Sequence, residues 1–379
     1  MGNAAMEPQV PRVLFLIDHL ENPHAGTEGQ LHLLVSGLMG RGIECHLLVL
    51  KKSAYLESGQ FPCPWSVLGQ TRLSALASWR AMHRFGKEMA QRGFRIAHTF
   101  FNDSSVLAPP TFALAGIKTV ISRRDMGYWY DRRYRSLLRL TGRWVAACSV
   151  NSVAVRDVTI AAEHIPSDRI HVIYNGLPPV ADLQPDLPIL SDLRARGRIL
   201  AGVVANIRPI KRIEDFLDAL GALRYEVPML DAVIIGGGDP NALSARAQAL
   251  GVGDRVHFLG QRNDVSACLR QMDIGVLCSE SEGFSNAVIE YMQAGLPTVC
   301  TRTGGNPAAI THGHTGFLYG VADVPALAEH LACLARDPAL QSTLGRAAQA
   351  DADQRFSVES MVSAHCALYR SVLSRSSGA

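Results

Sequence analysis

Two glutamates eight positions apart, Glu282 and Glu290, have the residue type and spacing to hold a polar ligand. The apolar run that ends at residue 278 predicts a strand, and residues 286–294 predict a helix that follows Ser285, a favoured N-cap residue. The first turn of such a helix presents backbone N–H groups and the positive end of the helix dipole, which together suit a phosphate. Glu290 could then reach a ribose diol and Glu282 a sugar ring. The alternative is a capped helix with two surface glutamates.

Two cations, Arg208 and Lys211, follow a predicted strand at residues 199–205. Arginine can bind a diphosphate through two parallel N–H groups, and lysine acts as a point charge. Two solvated cations are the alternative, although cations are slightly unfavourable at a helix start.

Short apolar runs alternate with helical patterns along the chain, which is typical of parallel sheets covered by helices on both faces. The second-half strands are predicted at 199–205, 232–236, 256–259, 274–278 and 297–300. The first-half strands are predicted at 13–17, 45–50, 96–100, 119–122, 145–149 and 170–174.

A proline-rich stretch of little periodicity separates the two series and indicates a linker at residues 177–197. We therefore predict two doubly wound, Rossmann-like α/β domains, residues 1–176 and 198–356, and a C-terminal helix within 357–379 that packs back on the first domain. Ligands bind beyond the carboxyl ends of open parallel sheets. Two such domains facing each other would form a central cleft that holds the chemistry.

Composition excludes several classes of protein. The 379 residues, 47% hydrophobic and 19% charged, suffice for two globular domains, and a net charge of +3 gives no argument for nucleic acid. The eight cysteines show no zinc spacing, which favours reduced, mostly buried thiols. No apolar run reaches the ~18 residues of a membrane span, and no signal peptide is evident. We expect a cytoplasmic protein with a loose tail at residues 1–11.

The segment from Glu282 to Glu290 reads E-G-F-S-N-A-V-I-E and resembles, without gaps, the Glu-x7-Glu mark of the glycosyltransferases of family 4, which have the GT-B fold. The resemblance implies that Glu290 hydrogen-bonds the ribose of a nucleotide-sugar donor and that Glu282 contacts the transferred sugar. It also implies a donor-binding role, near the diphosphate and the sugar, for Gly283, Phe284, Ser285 and Asn286.

Other motifs of the second half fall in the family's order. At the place where the family often has Gly-Arg, this chain has Ala205-Asn206. The arginine, Arg208, comes two residues after Asn206. The turn at Gly236 resembles the family's Gly-x-Gly turn, and the loop with Arg262 could frame the base through its backbone. No dinucleotide fingerprint is present, which disfavours a dehydrogenase. In a later Gly-Gly-x-x-Glu motif, Ala308 replaces the glutamate, which we interpret as a structural variation.

The loop at residues 25–28 resembles the family's Gly-Gly-x-Glu loop. The resemblance implies that Gly26 and Thr27 contact the diphosphate or the acceptor. A glycine at position 26 would let the backbone come close to both. An ordinary turn between a strand and a helix is the alternative.

The segment after the predicted strand 119–122 departs from the family. Many members carry a histidine there beside the reacting sugar, whereas this chain has Arg123, Arg124 and Asp125. We predict that one of the arginines holds the acceptor or a phosphate and that Asp125 acts on a hydroxyl. His98 is a further candidate, with a histidine buried in the core as the alternative.

Residues 123–143 interleave arginines with aromatic and leucine side chains. This composition suits an anionic membrane surface or a lipid-diphosphate acceptor. A solvated helix face is equally consistent, and no motif supports nucleic-acid binding. The arginines of the stretch are Arg123, Arg124, Arg132, Arg133, Arg135, Arg139 and Arg143.

The resemblance implies a retaining glycosyltransferase that moves a sugar from a UDP- or GDP-sugar to a hydroxyl of a glycan or lipid-linked acceptor, in polysaccharide or lipid-linked glycan assembly. Glu282, Arg208 and Lys211 would be its catalytic residues. No cofactor is expected, and no metal, because the two cations would replace one and these segments contain no Asp-x-Asp motif. We expect the protein to lie in the cytoplasm, with peripheral binding at the inner face of the membrane as an option.

Two alternatives to a transferase stay open. One is a non-catalytic nucleotide-sugar-binding subunit of a polysaccharide assembly complex. The other is a GT-B nucleotide-sugar epimerase. Release of a free nucleoside diphosphate in the presence of an acceptor would separate a transferase from both.

Overall fold

The computed structural model describes residues 12–23, 26–69, 73–179 and 187–375. The chain divides into two compact units. Unit one comprises Met1–Gly176 and Val358–Ala379, and unit two comprises Leu177–Ser357. The predicted tail at residues 1–11, Ala25 of the predicted 25–28 loop and residues 180–186 of the predicted linker lie outside the described residues.

Unit one is built on a parallel sheet whose strands are β1 (Val13–Ile17), β2 (Cys45–Val49), β3 (Trp65–Val67), β4 (Ile96–Thr99), β5 (Lys118–Arg123), β6 (Val145–Val150) and β7 (Ile170–Val172). The strand order is β3-β2-β1-β4-β5-β6-β7. β1 is central and completely buried, as its uninterrupted apolar sequence requires in a sheet covered on both faces.

Unit two contains a second parallel sheet whose strands are β8 (Ile199–Val204), β9 (Leu230–Ile235), β10 (Val256–Gly260), β11 (Ile274–Leu277), β12 (Thr298–Thr301) and β13 (Gly316–Tyr319). Its order is β10-β9-β8-β11-β12-β13. In both units the order reverses beside the first strand, which is the position where doubly wound sheets bind ligands.

The helices of the described residues cover both sheets. In chain order they are α1 (Gly26–Gly40), α2 (Ala54–Glu57), α3 (Leu76–Gln91), α4 (Asn102–Ala113), α5 (Arg132–Thr141), α6 (Val153–Glu163), α7 (Pro188–Ala195), α8 (Ile213–Ala222), α9 (Asn241–Ala249), α10 (Val265–Leu269), α11 (Asn286–Gln293), α12 (Asn306–Ala309), α13 (Val324–Arg336), α14 (Pro338–Arg355) and α15 (Val358–Ser374).

The C-terminal helix α15 packs on unit one, which confirms that part of the predicted fold. Met361 and Tyr369 are buried in the same core as Phe15 of β1. A Cβ atom at Gly37 of α1 would lie 2.5 Å from Cγ2 of Val362, so the absence of a side chain at Gly37 lets α1 and α15 approach closely.

The prediction of two doubly wound α/β domains is confirmed, and the predicted linker is wrong in part. Residues 188–195 form helix α7, whose Leu190 and Leu193 are buried in unit two. Pro188 lies in the first turn of that helix, where a proline breaks no hydrogen bond, so it starts a helix here and does not mark a loop. Two short strands at the sheet edges, β3 and β13, were not predicted from the periodicity of the sequence.

Candidate functional site

The loops after β8 and β11 bring two of the predicted catalytic side chains together. Lys211 Nζ donates to Glu282 Oε1 over 2.6 Å, forming an ion pair between residues 71 positions apart. The side chains are 25% and 12% exposed, so the pair is partly shielded from water. Because β8 and β11 are parallel neighbours, their carboxyl ends open on the same edge of the sheet, where such sheets bind ligands.

Hydrogen bonds from two neighbouring loops fix the backbone that carries Glu282. The Glu280 N–H donates to the carbonyl of Ile210 over 2.9 Å, which ties the Glu282 loop to the Lys211 loop. On the other side, the Thr303 hydroxyl donates to the Glu280 carbonyl over 3.1 Å, and the Thr301 hydroxyl donates to that of Ser279 over 2.7 Å. The Glu282 loop is therefore held from both sides.

Gly304 approaches the Glu282 loop so closely that no side chain fits between them. A Cβ atom at Gly304 would lie 1.5 Å from the Glu282 carbonyl oxygen, and the φ angle of Gly304 is +51°. The sequence by itself predicted no role for Gly304. The structure gives Gly304 a positioning role for Glu282, and the only hint in the sequence was a Gly-Gly pair after a strand.

Glu290 lies on α11 as a half-buried carboxylate. Among the described residues, no backbone or side-chain group donates a hydrogen bond to this carboxylate. Burial raises the pKa of Glu290 to about 7. A pair of ligand hydroxyls that donates to Glu290 would compensate for its lost hydration and stabilise the ionised form.

The residues just before α11 differ from the prediction in one respect. Ser285 occupies the N-cap position, but its hydroxyl makes no capping hydrogen bond, so the prediction that its side chain caps the helix is wrong. The Phe284 side chain is buried and packs edge-on against Phe356 at 5.4 Å. Contacts of Gly283, Phe284, Ser285 and Asn286 with a donor stay a prediction.

The loop after β8 packs against the glycine turn after β9. Asn206 Oδ1 accepts the Gly237 N–H over 3.0 Å, and a Cβ atom at Gly236 would lie only 2.0 Å from the carbonyl oxygen of Ala205. Gly236 and Asn206 therefore hold the loop that carries the predicted cations. Arg208 itself is exposed and has no hydrogen bond or ion pair from its side chain among the described residues.

Arg262 follows β10 and forms a two-pronged ion pair with Asp264, with two N–O distances of 2.7 Å. Its guanidinium is thus engaged locally, and its predicted backbone contact with a base stays a prediction. Within the described part of the chain, no group of three or more histidine, cysteine or acidic side chains is arranged to bind a metal ion.

In unit one, His98 is a histidine of the core, which is the alternative that the sequence left open, and not a residue that contacts an acceptor. Its side chain is completely buried, with Nδ1 2.8 Å from the Tyr369 hydroxyl and Nε2 2.8 Å from the Ser122 hydroxyl. Burial, aided by the charges of His365 and Arg124, holds the pKa of His98 well below its usual value. His98 is therefore neutral and structural.

Arg123 is also an interior residue, which corrects its predicted contact with an acceptor. Its guanidinium forms a two-pronged ion pair with Glu163, with 3.0 Å between Nη2 and Oε2, and donates to Ser105 Oγ over 3.0 Å. Trp129 stacks on it with 5.4 Å from the guanidinium carbon to the ring centre. Burial disfavours the charged form, but the Glu163 carboxylate outweighs it and raises the pKa of Arg123.

Arg124 has a different environment from Arg123. Its Nη2 donates to Asn175 Oδ1 over 2.5 Å and lies 3.5 Å from Gln30 Oε1, and both partners are neutral amides. Among the described residues no carboxylate pairs with Arg124, and burial lowers its pKa to about 10. This cation is partly desolvated and lacks a counter-charge, which makes it a good partner for an anion.

Thr27, Arg123, Arg124 and Asp125 line one small cavity of about 20 Å³, so unit one brings most of the predicted acceptor-side residues together. Asp125 uses its carboxylate in a local turn, where Oδ1 accepts the Gly127 N–H over 2.7 Å and the Trp129 indole N–H over 3.0 Å. Action of Asp125 on a hydroxyl would compete with these bonds and stays a prediction.

Gly26 opens helix α1 and is exposed, and a Cβ atom there would meet open space. Packing within unit one therefore does not require glycine at this position. A close approach of ligand to this backbone stays a prediction.

The basic stretch 123–143 divides into an interior part and a surface part. Arg123 and Arg124 belong to the interior, so the proposed membrane face loses two of its cations. Tyr128, Leu140 and Trp144 are exposed by 87%, 51% and 39%, beside five exposed arginines of α5 and the turn after it. These arginines are Arg132, Arg133, Arg135, Arg139 and Arg143. Membrane binding through this surface stays a prediction.

No helix within the described ranges combines the length and the hydropathy needed to cross a bilayer.

Models of known protein families match both halves of the chain. The model described as "Glycosyl transferases group 1" matches residues 192–351, and the model described as "Glycosyltransferase Family 4" matches residues 25–180. The first match contains the Lys211–Glu282 pair and Glu290. The second contains the cavity beside Arg124.

Two relatives with similar sequences agree with these matches. The lipopolysaccharide core biosynthesis mannosyltransferase LpcC of Rhizobium leguminosarum bv. viciae is 30% identical over 311 residues, covering 78% of this chain and 83% of the relative. N-acetyl-alpha-D-glucosaminyl L-malate synthase of Bacillus anthracis is 29% identical over 211 residues, 55% of each chain, so the match spans about half of that relative.

In fold, the chain is similar to crystal structures of Anabaena Alr3699/HepE in complex with UDP and with UDP-glucose, at 22% identity and TM-scores of 0.82 and 0.76. Each alignment covers 95% of this chain, and they cover 100% and 99% of that protein. At this identity the similarity concerns the fold.

A side chain at Gly304 should displace the Glu282 loop. In Gly304→Ala the new methyl group would overlap the Glu282 carbonyl and the left-handed backbone would be strained, so we expect a loss of roughly 1–3 kcal/mol in the free energy of unfolding. Hydrogen exchange at residues 279–285 should become faster. Gly313→Ala is the matched control, because Gly313 has φ +76° but open space around its Cβ position. Equal effects of the two substitutions would show that the Gly304 contact does not hold the loop.

Proposed function

Because the chain belongs to the glycosyltransferases of family 4, which have the GT-B fold, we propose that it transfers a sugar from a nucleotide-sugar donor to a hydroxyl of a glycan or lipid-linked acceptor. The observation that carries this proposal is the Lys211–Glu282 ion pair at the carboxyl edge of the unit-two sheet, with Glu290 on the helix that follows. This arrangement supplies a cation for a diphosphate and two carboxylates for sugar hydroxyls within one structural unit.

The donor in this proposal is a UDP- or GDP-sugar. Support comes from the structural neighbour Alr3699/HepE, whose structures contain UDP and UDP-glucose. The relatives named as a mannosyltransferase and as an N-acetyl-glucosaminyl L-malate synthase support a role in glycan or glycoside assembly, without selecting the sugar. UDP-sugars are therefore the first donors to test.

Each donor-side residue has a chemical role in the proposal. Glu290 accepts hydrogen bonds from the ribose hydroxyls, and Glu282 accepts one from the transferred sugar. Lys211 and Arg208 bind the diphosphate and stabilise the negative charge that grows on it as the glycosidic bond breaks. Lys211 is only 25% exposed, so its electrostatic interaction with the leaving group is stronger than that of a solvated lysine.

The reaction in this proposal retains configuration at the anomeric carbon. The bond from that carbon to the diphosphate oxygen breaks, and the acceptor oxygen bonds to the carbon from the same face. The acceptor hydroxyl proton passes to the departing diphosphate oxygen, so atoms and charges balance without a nucleophilic side chain. The protein contributes positioning and charge stabilisation.

On the acceptor side we infer a role for Arg124. It is partly desolvated, its pKa is lowered by burial, and its hydrogen-bond partners are neutral. A phosphate or carboxylate of the acceptor would supply the missing counter-charge. Arg124 would then determine which acceptors bind, at the point where the sequence departs from the family's histidine.

Removal of the Glu282 carboxylate should abolish transfer while the fold stays intact. We expect Glu282→Ala to lower kcat at least 100-fold, about 2.7 kcal/mol of transition-state stabilisation, measured as acceptor-dependent release of UDP or GDP. Lys211→Ala should cause a similar loss, and the double variant should lose less than the sum because the two side chains are in contact.

The control for that experiment is Glu226→Ala, which removes an exposed ion pair with Arg336 in the same unit. Its turnover should equal that of the unmodified protein. Full turnover in Glu282→Ala would contradict the assignment. If the unmodified protein releases no nucleoside diphosphate with any donor and acceptor, the result would favour a non-catalytic donor-binding subunit.

Donor affinity should depend on pH through Glu290. Ribose hydroxyls donate to the ionised carboxylate, so the donor binds the deprotonated form, and the pKa of about 7 makes that form scarce below neutrality. Affinity for an intact nucleotide sugar should therefore rise about tenfold from pH 6 to pH 8 and level off above. Titration calorimetry at several pH values would measure this rise. In Glu290→Gln the affinity should be lower and independent of pH, and a flat profile in the unmodified protein would contradict the assignment.

Loss of the Arg124 charge should impair only anionic acceptors. We expect Arg124→Gln to raise KM at least tenfold for an acceptor that bears a phosphate, and to leave KM for the matching neutral acceptor and the donor Kd unchanged. Arg156→Gln is the control, since it removes an exposed arginine paired with Asp157 in the same unit. Equal changes of KM for both acceptors would rule out recognition of an anion by Arg124.

A further inference from the structure

A second concave region lies at the other edge of the unit-two sheet. A cavity of about 760 Å³ is located at the amino ends of its strands, where Arg198 precedes β8, Asp231 is the second residue of β9 and Arg255 precedes β10. The Lys211–Glu282 pair lies beyond the carboxyl ends, about 20 Å away by the length of a six-residue strand. The volume is in the range of small-molecule pockets, roughly 300–1,000 Å³.

Arginines dominate the charged lining of this cavity, which has a net charge of +2. Arg198 is neutralised by an ion pair with the buried Asp231, and Arg196 pairs with Asp192 over 2.7 Å. These two pairs leave part of the positive charge uncompensated. The charged residues of the lining are Arg196, Arg198, Arg224, Arg255, Asp231 and Asp254.

Arg255 is a buried cation of this lining, and a bound anion would stabilise its charged form. It is only 7% exposed, and its Nη1 donates to the carbonyls of Val227 and Pro228 over 3.3 and 3.2 Å. Nε and Nη2 have no hydrogen-bond partner among the described residues, and no carboxylate there pairs with this guanidinium. Burial and the nearby charge of Arg198 lower the pKa of Arg255. A buried guanidinium with unused donors is stabilised when an anion binds it in two-pronged fashion.

Arg224 and Tyr225 add a second recognition element at the rim. The Arg224 guanidinium lies 4.6 Å from the centre of the Tyr225 ring, and that ring is 83% exposed although it borders a cavity. Among the described residues, Arg224 pairs with no acid. The apolar part of the lining includes Leu193, Pro228, Met229, Ala249 and Leu250. The site thus combines cations for a phosphate with an aromatic and apolar surface for the body of a ligand.

We propose that this cavity is a binding site for a small organic phosphate, with the phosphate on Arg255 and Arg224 and the organic part against Tyr225 and the apolar wall. The inference does not rest on the proposed function, because it uses residues at the edge of the sheet opposite to the Lys211–Glu282 pair. A sugar phosphate and a nucleoside monophosphate share the required chemistry, and they differ in the group that contacts Tyr225.

Calorimetric titration of the full chain with glucose 6-phosphate and with AMP tests the proposal. At least one probe should bind with a Kd below about 1 mM, and Arg224→Ala should weaken that binding at least tenfold. Arg255→Lys keeps the charge but loses the two-pronged geometry and should weaken it similarly. If the base of AMP stacks on the ring, Tyr225→Ala should weaken the binding of AMP more than the binding of glucose 6-phosphate.

Two controls separate this site from other sources of binding. Arg346→Ala removes an exposed arginine of α14 that does not line the cavity, so it should leave the Kd unchanged. Glu290→Gln alters the candidate donor site and should also leave it unchanged. The proposal is overturned if neither probe binds, if Arg224→Ala binds as tightly as the unmodified chain, or if only Glu290→Gln weakens binding.

Discussion

Direct contact between backbones at the carboxyl edge of the unit-two sheet is the constraint on which the candidate site depends. Gly304 touches the Glu282 carbonyl and Gly236 touches that of Ala205, with no room for a Cβ atom in either place. Backbone contacts have no rotamer freedom, so they fix the neighbouring loops more rigidly than side-chain contacts would. An ion pair between solvent-exposed side chains that nothing else holds in place contributes little, typically about 0–1 kcal/mol. The rigid frame lets Lys211 and Glu282 act as positioned groups.

Burial distinguishes structural charges from those that a ligand can complement. Arg123 is enclosed with the Glu163 carboxylate, and removal of either partner would leave an uncompensated charge in the interior. Glu290 and Arg124 are shielded from water without an opposite charge at hand. Ionisable groups of this second kind tend to occur at functional sites, because the energetic cost of their burial is recovered only when a ligand binds.

The two adjacent arginines show how strand geometry separates such roles. Side chains of consecutive residues at a strand end point to opposite faces of the sheet. Arg123, the last residue of β5, contacts Glu163 of α6, and Arg124 contacts Gln30 of α1 and Asn175. One arginine therefore completes the core while its neighbour remains available to an anion.

The sequence alone determined the doubly wound architecture, most strand positions and the placement of Lys211 and Glu282 on loops at the same edge of one sheet. These features are local, because apolar periodicity and the residues that follow a strand can be recognised within a short stretch of sequence. Tertiary structure decided which charges are neutralised: His98 meets Tyr369 from 271 positions away, and Arg123 meets Glu163 from 40 positions away. It also revealed α7, the Gly304 contact and the arginine-lined cavity. Pairing and burial depend on groups distant in sequence, and no local pattern encodes which of them meet.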